Sequence, residues 1–498
     1  MPAVVVAVVL AALYLVLDPP SADLAAQTYR VGLFDREGWL AWDNGWYGGH
    51  HLPGYSVLFP PLASLLGLHV VAALCVVAAT VAFTRVESRP LPGVWFAVGM
   101  AATAVSGRLA FLLGAAVAMW GLAAMVRGRW AAAAALGAVT ALASPVAALF
   151  AALIGVATRV DVHRLPAGGG DRDVRRAAAA LVVAAVLVTG VLVLAFPEGG
   201  SEPFVASAFW PALAAAAAAA LFTTGAVRIA VILYALLLVG AFVVDTPIGG
   251  NAARLGALAA GPLAMALVRD RRALVLLAVP LAYWTLYPPT RDWSSASGDP
   301  ARAASYYAPL LDRLAAYDGP GRLEIPFTAG HWEAARAAPR VMLARGWERQ
   351  LDRKVNAVFY EGELTPERYA AWLRESAVRW VALPDAPLDG SAQDEARLIR
   401  AGLPALREVW HDAHWRLFEV RNPQPLGARA IGADWFVAGA GIVRVHWTPY
   451  WAVVEGAGCV RRGADDWTVV EPRPARSEVR VAIRVTPARA LSRGARCR

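Results

Sequence analysis

The sequence predicts a polytopic α-helical membrane protein carrying a C-terminal extracytoplasmic domain of α/β plus β-rich type. Three observations carry this. The chain of 498 residues is 58% hydrophobic and only 17% charged, too apolar for an ordinary soluble protein. Residues 1–288 consist of long Ala, Val and Leu runs separated by short breaks that hold most of the arginines of that half, the pattern by which loop charge orients membrane spans. Beyond the Pro288-Pro289 pair the composition becomes that of a soluble domain. The chain therefore divides into a transmembrane domain (1–288), an extracytoplasmic α/β domain (289–425) and an appended β-rich segment (426–498). The net charge of +9 follows from the topological arginines, so membrane lipids are expected partners and nucleic acid is not.

Apolar segments fall at 3–17, 57–83, 92–106, 109–126, 130–144, 146–158, 177–196, 208–224, 229–244, 255–268 and 273–288, about eleven spans. The first lacks a basic leader and a cleavage context and reads as a retained span. Several are shorter than the roughly 20 residues a lipid-exposed helix needs. The pairs meeting at Gly107-Arg108 and Ser144-Pro145 read either as two helices or as one kinked helix. With a cytoplasmic N-terminus, the breaks holding Arg85 and Arg89, Arg127 and Arg129, Arg159 to Arg176, Arg228, and Arg269 to Arg272 all fall inside. The loop 18–56, Glu198, Glu202 and Asp245 then fall outside, and an eleventh span carries the C-terminal domain outside as well. Alanine-rich faces such as 131–137 and 212–221 read as close helix packing through small side chains.

After a polar linker at 291–299, a helix is expected over 301–317, strands at 322–327, 378–384 and 415–420, and helices at 333–354, 366–376 and 391–401. From residue 430 the pattern changes to strands at 442–447, 450–454, 467–470 and 479–485, with Gly456, Gly458 and Gly463 marking turns. Cys75 lies in an apolar run. Cys459 and Cys497 lie in the aqueous part, where an extracytoplasmic setting permits them to pair.

No Walker loop, dinucleotide-binding glycine fingerprint, paired-cysteine metal motif or zinc helix occurs, which argues against coupling to nucleotide hydrolysis. The chemistry-bearing stretch is the acidic first outer loop, 18–56, with five carboxylates against two arginines. Asp23 follows the first span almost at once. A carboxylate at that depth has two roles open to it, accepting the proton of an attacking hydroxyl or binding a divalent metal ion that neutralises a leaving phosphate; capping a short helix is the structural alternative. Asp43 is flanked by Trp42, Trp46 and Tyr47, rings suited to stacking on a sugar, although interfacial aromatic belts give the same pattern. His50 is a candidate phosphate donor, and its neighbour His51 points elsewhere on a regular element, a poor arrangement for a shared metal. Arg108 and Arg254 fall at the outer ends of spans, where they either snorkel to headgroups or hold the phosphate of a lipid-linked substrate. In the aqueous domain Glu324, His331 and Trp332, with Glu333, form a polar-aromatic group after a strand, the composition of a glycan groove or of a buried ion-pair core.

This layout, many spans, a long acidic loop directly after the first span and a soluble C-terminal domain, resembles the GT-C superfamily of membrane glycosyltransferases. The resemblance covers residues 1–288, and its most specific match is Asp23, which corresponds in place to the family's catalytic carboxylate; Asp43 is a weaker candidate for a second acidic role. The family commonly shows a paired acidic motif at the start of this loop, whereas Asp23 stands between alanine and leucine. The resemblance implies a sugar on a polyprenyl-phosphate lipid as donor, an envelope glycan or other extracytoplasmic acceptor, and residence in the cytoplasmic membrane. The alternative is a non-catalytic envelope membrane protein that binds glycan or a partner subunit.

Overall fold

The structure is a computed structural model and describes residues 1–162, 170–317 and 319–492. Part of the basic stretch after Arg159, and Cys497 with its pairing to Cys459, lie outside the described residues. The chain forms two units. One comprises residues 1–27, 54–193 and 199–297; the other comprises 28–53, 194–198 and 298–498.

The first unit is helical. Its elements are α1 (Pro2–Leu17), the start of α2 (Asp23–Glu37), α3 (Phe59–Leu66), α4 (Leu68–Phe83), α5 (Pro90–Val105), α6 (Leu109–Met125), α7 (Trp130–Ala143), α8 (Pro145–Val160), α9 (Asp171–Ala195), α10 (Ala206–Phe222), α11 (Gly225–Val243), α12 (Ala253–Leu267) and α13 (Arg271–Ala296). Among them α9, α11 and α13 are each long and apolar enough to cross a membrane, and α3 with α4, bent by 108° at Gly67, makes a fourth if counted as one span. Among the described residues there are thus three or four candidate spans, which suggests a multi-pass membrane protein. Other apolar helices are shorter: α7 has 14 residues and α6 has 17. At about 1.5 Å per residue these fall short of the ~30 Å hydrocarbon core.

Both ambiguous junctions are breaks between separate helices. Ser144 is extended and its hydroxyl caps α8, with Pro145 at the first helical position. Gly107 has φ +70, a left-handed conformation that ends α5. The expected linker after Pro288-Pro289 is instead helical as far as Ala296. Prolines stop a helix when the amide they lack or the carbonyl they crowd is needed for continuation, yet α13 carries Pro280, Pro288 and Pro289 inside it.

The ends of these helices segregate by chemistry. At one end Arg127 donates to the Arg85 carbonyl, Arg89 to the Ala266 carbonyl, and Arg85 and Arg176 lie over Trp120 and Trp130. At the opposite end, where α5 finishes and α6 and α12 begin, lie Ser106, Arg108 and Arg254.

The second unit contains a mixed four-stranded sheet built from β3 (Arg322–Glu324), β4 (Val378–Pro384), β5 (Leu406–His411) and β6 (Trp415–Val420), ordered β3-β4-β6-β5, with β3 and β4 parallel. Helices α14 (Ala304–Ala315), α15 (Glu333–Arg336), α16 (Arg349–Val355), α17 (Pro366–Glu375) and α18 (Gln393–Ala401) accompany it. The single helix expected over 333–354 is two short pieces. Pro339 lies between them, and Gly346 packs so tightly on Trp46 that an added Cβ would come within 2.7 Å of that side chain. The strand β5 was not expected; it takes in His411 and the residues beside it.

The remainder is two β-sheets, β10-β13-β8-β7 and β11-β12-β9. Their strands are β7 (Ala430–Ile431), β8 (Trp435–Ala438), β9 (Gly441–His446), β10 (Trp451–Glu455), β11 (Gly458–Arg462), β12 (Trp467–Pro472) and β13 (Val479–Ile483). One apolar core joins Phe436, Val481 and Ile483 of the first sheet to Val443, Val445, Val460 and Val470 of the second, so the two sheets share a common interior. The β-rich segment therefore has the period-2 pattern expected of it, with strands β7, β8 and β11 in addition to those read from sequence.

Candidate functional site

Four helices of the first unit enclose a cleft. Its lining follows helical spacing on each: Gly99, Ala102, Thr103 and Ser106 from α5; Arg108 and Phe111 at the start of α6; Arg254, Ala257 and Leu258 from α12; Trp284, Thr285, Pro288 and Pro289 from α13. The cleft is narrow, with roughly 30 Å³ of free volume inside it and an open mouth. Close approach of the helices depends on small residues: Gly256 lies directly against Trp284, and Gly99 leaves only 3.3 Å between an added Cβ and Leu258. The walls mix apolar side chains with Thr103 and Thr285, and the charged groups, Arg108 and Arg254, collect at one end.

At that end the turn between α5 and α6 grips the segment leading into α2. The Ser21 hydroxyl donates to the Ser106 carbonyl at 2.7 Å, and Gly107 packs against Ser21, where a side chain would meet the hydroxyl at 2.8 Å. This fixes Asp23 in the first turn of α2, where a carboxylate is favoured by the helix dipole. Its Oδ2 faces Arg108 Nε at 3.5 Å, both side chains being about one-quarter to one-third exposed. One turn further along α2, Gln27 is buried and donates to the Tyr55 hydroxyl at 2.8 Å.

Arg254 has a different status. Its guanidinium lies 5.3 Å from the Phe111 ring centroid, and among the described residues it has neither a hydrogen-bond partner nor a carboxylate within ion-pair distance. Asp23, Tyr55 and Glu202 act on it only through the electric field. A cation held over an aromatic ring at the charged end of this cleft is suited to one anionic group on a hydrophobic ligand.

The structure thus brings together three of the residues singled out from sequence, Asp23, Arg108 and Arg254. It places the others elsewhere, in the second unit, and buries them. Trp42 belongs to the core shared by the two β-sheets and packs edge-on against Trp451. Burying roughly 150–250 Å² of such a ring is worth on the order of 4–6 kcal/mol. Trp46 is fully buried, stacked on Tyr29 at 4.4 Å and on His50 at 5.4 Å, and Tyr47 donates to the Glu348 carbonyl. These rings are packing elements whose faces are covered by protein. Asp43 accepts from the Tyr29 hydroxyl at 2.7 Å and from the Gly45 amide at 3.0 Å, and burial pushes its carboxyl up to about 6. Burial, reinforced by Arg30, lowers His50 to about 3, so its ring is neutral. The loop is stitched into its unit by backbone bonds, Asn44 N to Ala433 O, Leu343 N to Gly45 O and His446 N to Gly48 O, and by the ion pair of Arg30 with Glu348.

Glu324 is buried beside Arg345 and Glu395 in a sealed ionic network. His331, with φ +52, sits between Glu333 at 3.7 Å and Asp389 at 3.8 Å, and Trp332 is buried under Arg336. As for a metal, no group of three or more His, Cys, Asp or Glu side chains gathers among the described residues, and Arg108 stands beside Asp23 where a cation would be held. The donor set does not fit a metal ion.

Two residues at this end were missed from sequence, the lining residue Ser106 and Asp292, whose carboxylate neighbours it. Asp292 lies in the last turns of α13, within the stretch read as a linker; a helical projection carried past Pro289 would have placed it on the same face as Trp284 and Pro288. Compared with known proteins, the chain matches no family model, and none of the curated proteins matches its sequence.

Proposed function

We propose that this protein transfers a sugar from a polyprenyl-phosphate donor to an extracytoplasmic cell-envelope acceptor. The observation that supports this best is the meeting of Asp23, Arg108 and Arg254 at the charged end of the cleft. In this reading the lipid chain lies along the Ala102, Leu258 and Trp284 walls, and its phosphate rests on Arg254 and Arg108. The acceptor hydroxyl attacks the anomeric carbon, its proton passes to a carboxylate at the rim, and the bond from that carbon to the phosphate oxygen breaks. The developing charge on the leaving phosphate is then met by preorganised guanidinium groups in a site of low polarity, which is where such stabilisation is largest.

The orientation belongs to the same proposal. Counting α3 and α4 as one gives eleven apolar segments, and a cytoplasmic N-terminus puts the arginine-rich helix ends inside and the 298–498 region outside. Asp23, Arg108 and Arg254 then share the outer face, as their convergence requires. The helical unit's separation of an arginine-carbonyl end from the cleft end is consistent with this.

The test is release of radiolabelled sugar from a panel of polyprenyl-phosphate donors by the purified full chain in lipid nanodiscs, with envelope acceptors supplied and Asp23→Ala alongside. Turnover by the wild type that is weakened in the variant at low donor concentration, with thermal unfolding unchanged, is expected. Folded wild-type protein that turns over no donor would replace this reading with that of a non-catalytic envelope protein binding glycan or a partner subunit.

A further inference from the structure

The wall that α13 contributes to the cleft is a single stripe, Trp284, Thr285, Pro288 and Pro289. Positions three and four apart share a helix face, and the next position on the stripe is Asp292, four residues beyond Pro288 and three beyond Pro289. Its carboxylate neighbours the Ser106 side chain, itself a lining residue, and feels the charges of Arg108 and Asp23. The two carboxylates at this rim are unequal in their partners. Asp23 faces the Arg108 guanidinium, whereas Asp292 has no cation within ion-pair distance among the described residues.

We propose that Asp292 is the carboxylate that receives the acceptor: it accepts a hydrogen bond from the attacking hydroxyl and takes that proton as the new bond to the anomeric carbon forms. Asp23 is then a positioning residue, holding Arg108 toward the lipid phosphate. This assignment rests on the transferase reading above and divides its work between two carboxylates. The proton released by the acceptor ends on Asp292, the bonding pair of the cleaved bond leaves with the phosphate, and no further reactant is needed.

The test uses the full chain in nanodiscs with three readouts: steady-state transfer over a pH series, binding of sugar-free polyprenyl phosphate, and thermal unfolding. Asp292→Asn is expected to lower kcat by about 100-fold or more, the usual size of a general-base contribution. Its donor KM, lipid-phosphate binding and unfolding temperature stay at wild-type values, and the rising limb of the kcat–pH profile disappears. Asp292→Glu recovers part of the rate and keeps that limb. Asp23→Ala instead raises donor KM and weakens lipid-phosphate binding by about tenfold, the loss of one charge-assisted contact. Wild-type turnover with an Asp292→Asn kcat near that of the wild type overturns this assignment alone, as does a rate loss accompanied by lost lipid binding or lost stability. Absence of wild-type turnover removes the transferase reading and this assignment together.

Discussion

Two groups of charged residues, one in each unit, have the same ingredients and opposite environments. In the second unit Arg345 lies between the Phe327 and Phe359 rings at 3.9 and 3.8 Å and pairs with Asp352 at 2.7 Å and Glu395 at 3.3 Å. Tyr360, Asn356 and Tyr369 donate to the same carboxylates. Burial, with Glu395 beside it, pushes the Glu324 carboxyl well above the ordinary range. In the first unit Asp23, Arg108 and Arg254 are partly exposed, joined by one pair at 3.5 Å, with one cation left for a ligand. A sealed network built around a central cation paired to two buried carboxylates is a device of folding, and an open one with a cation left over is a device of binding.

The largest effect is expected from removing the central cation of the sealed network. Arg345→Leu leaves Asp352 and Glu395 buried without their counter-ion, a change that costs about 3–5 kcal/mol and is expected to lower the unfolding temperature and the yield of folded protein. Unfolding that matches the wild type would mean the network is not structural. At the open site the same class of change acts on function: Asp23→Ala is expected to raise donor KM and weaken lipid-phosphate binding by about tenfold through the loss of a correctly held Arg108, while stability moves by less than about 1 kcal/mol, the worth of an exposed ion pair.

An effect of similar size tests Arg254. Its guanidinium makes no internal ion pair, so Arg254→Gln is expected to leave unfolding unchanged and to weaken polyprenyl-phosphate binding by roughly tenfold, about 1.4 kcal/mol. Isothermal titration in nanodiscs measures it. An affinity equal to the wild type would place the phosphate elsewhere.

The same contrast explains what could be read in the sequence. Apolar runs bounded by arginines located α1 and the helices from α3 to α13, while α2 lies in the stretch read as a loop, because a membrane helix must bury its length in one solvent and few residues can interrupt it. Asp23, Arg108 and Arg254 stood out since a charge at the end of an apolar run has few structural uses. Asp292 did not, because Pro288-Pro289 ordinarily ends a helix and α13 continues past both. The aromatic residues of the first loop carried the opposite difficulty. Trp42, Trp46 and Tyr47 beside Asp43 have the composition of a sugar platform. What buries them are partners some 300 to 400 residues away in the chain, Trp451, the Gly346 backbone and the Glu348 carbonyl, a pairing that no local pattern encodes.

Asp43 provides the finest test of that burial. Its folded-state carboxyl is raised to about 6 from an ordinary value of 3.8, because burial penalises the charged form. A folded pKa above the unfolded one means the native state binds the proton more tightly. The associated stability is therefore complete below about pH 4 and is lost as pH rises through about 6. Between pH 5 and 7.5 the loss is on the order of 1 kcal/mol. Asp43→Asn retains an oxygen for the Tyr29 hydroxyl or the Gly45 amide but cannot ionise, so whatever constant energy the substitution adds cancels when one variant is followed across pH. The unfolding temperature of the wild type minus that of Asp43→Asn is accordingly expected to fall from pH 5 to pH 7.5, while other titrating groups, the neutral buried His50 among them, contribute equally to both proteins. A difference that stays flat would mean that Asp43 is solvated in the folded state, and that the loop carrying it opens to water as the cleft carboxylates do.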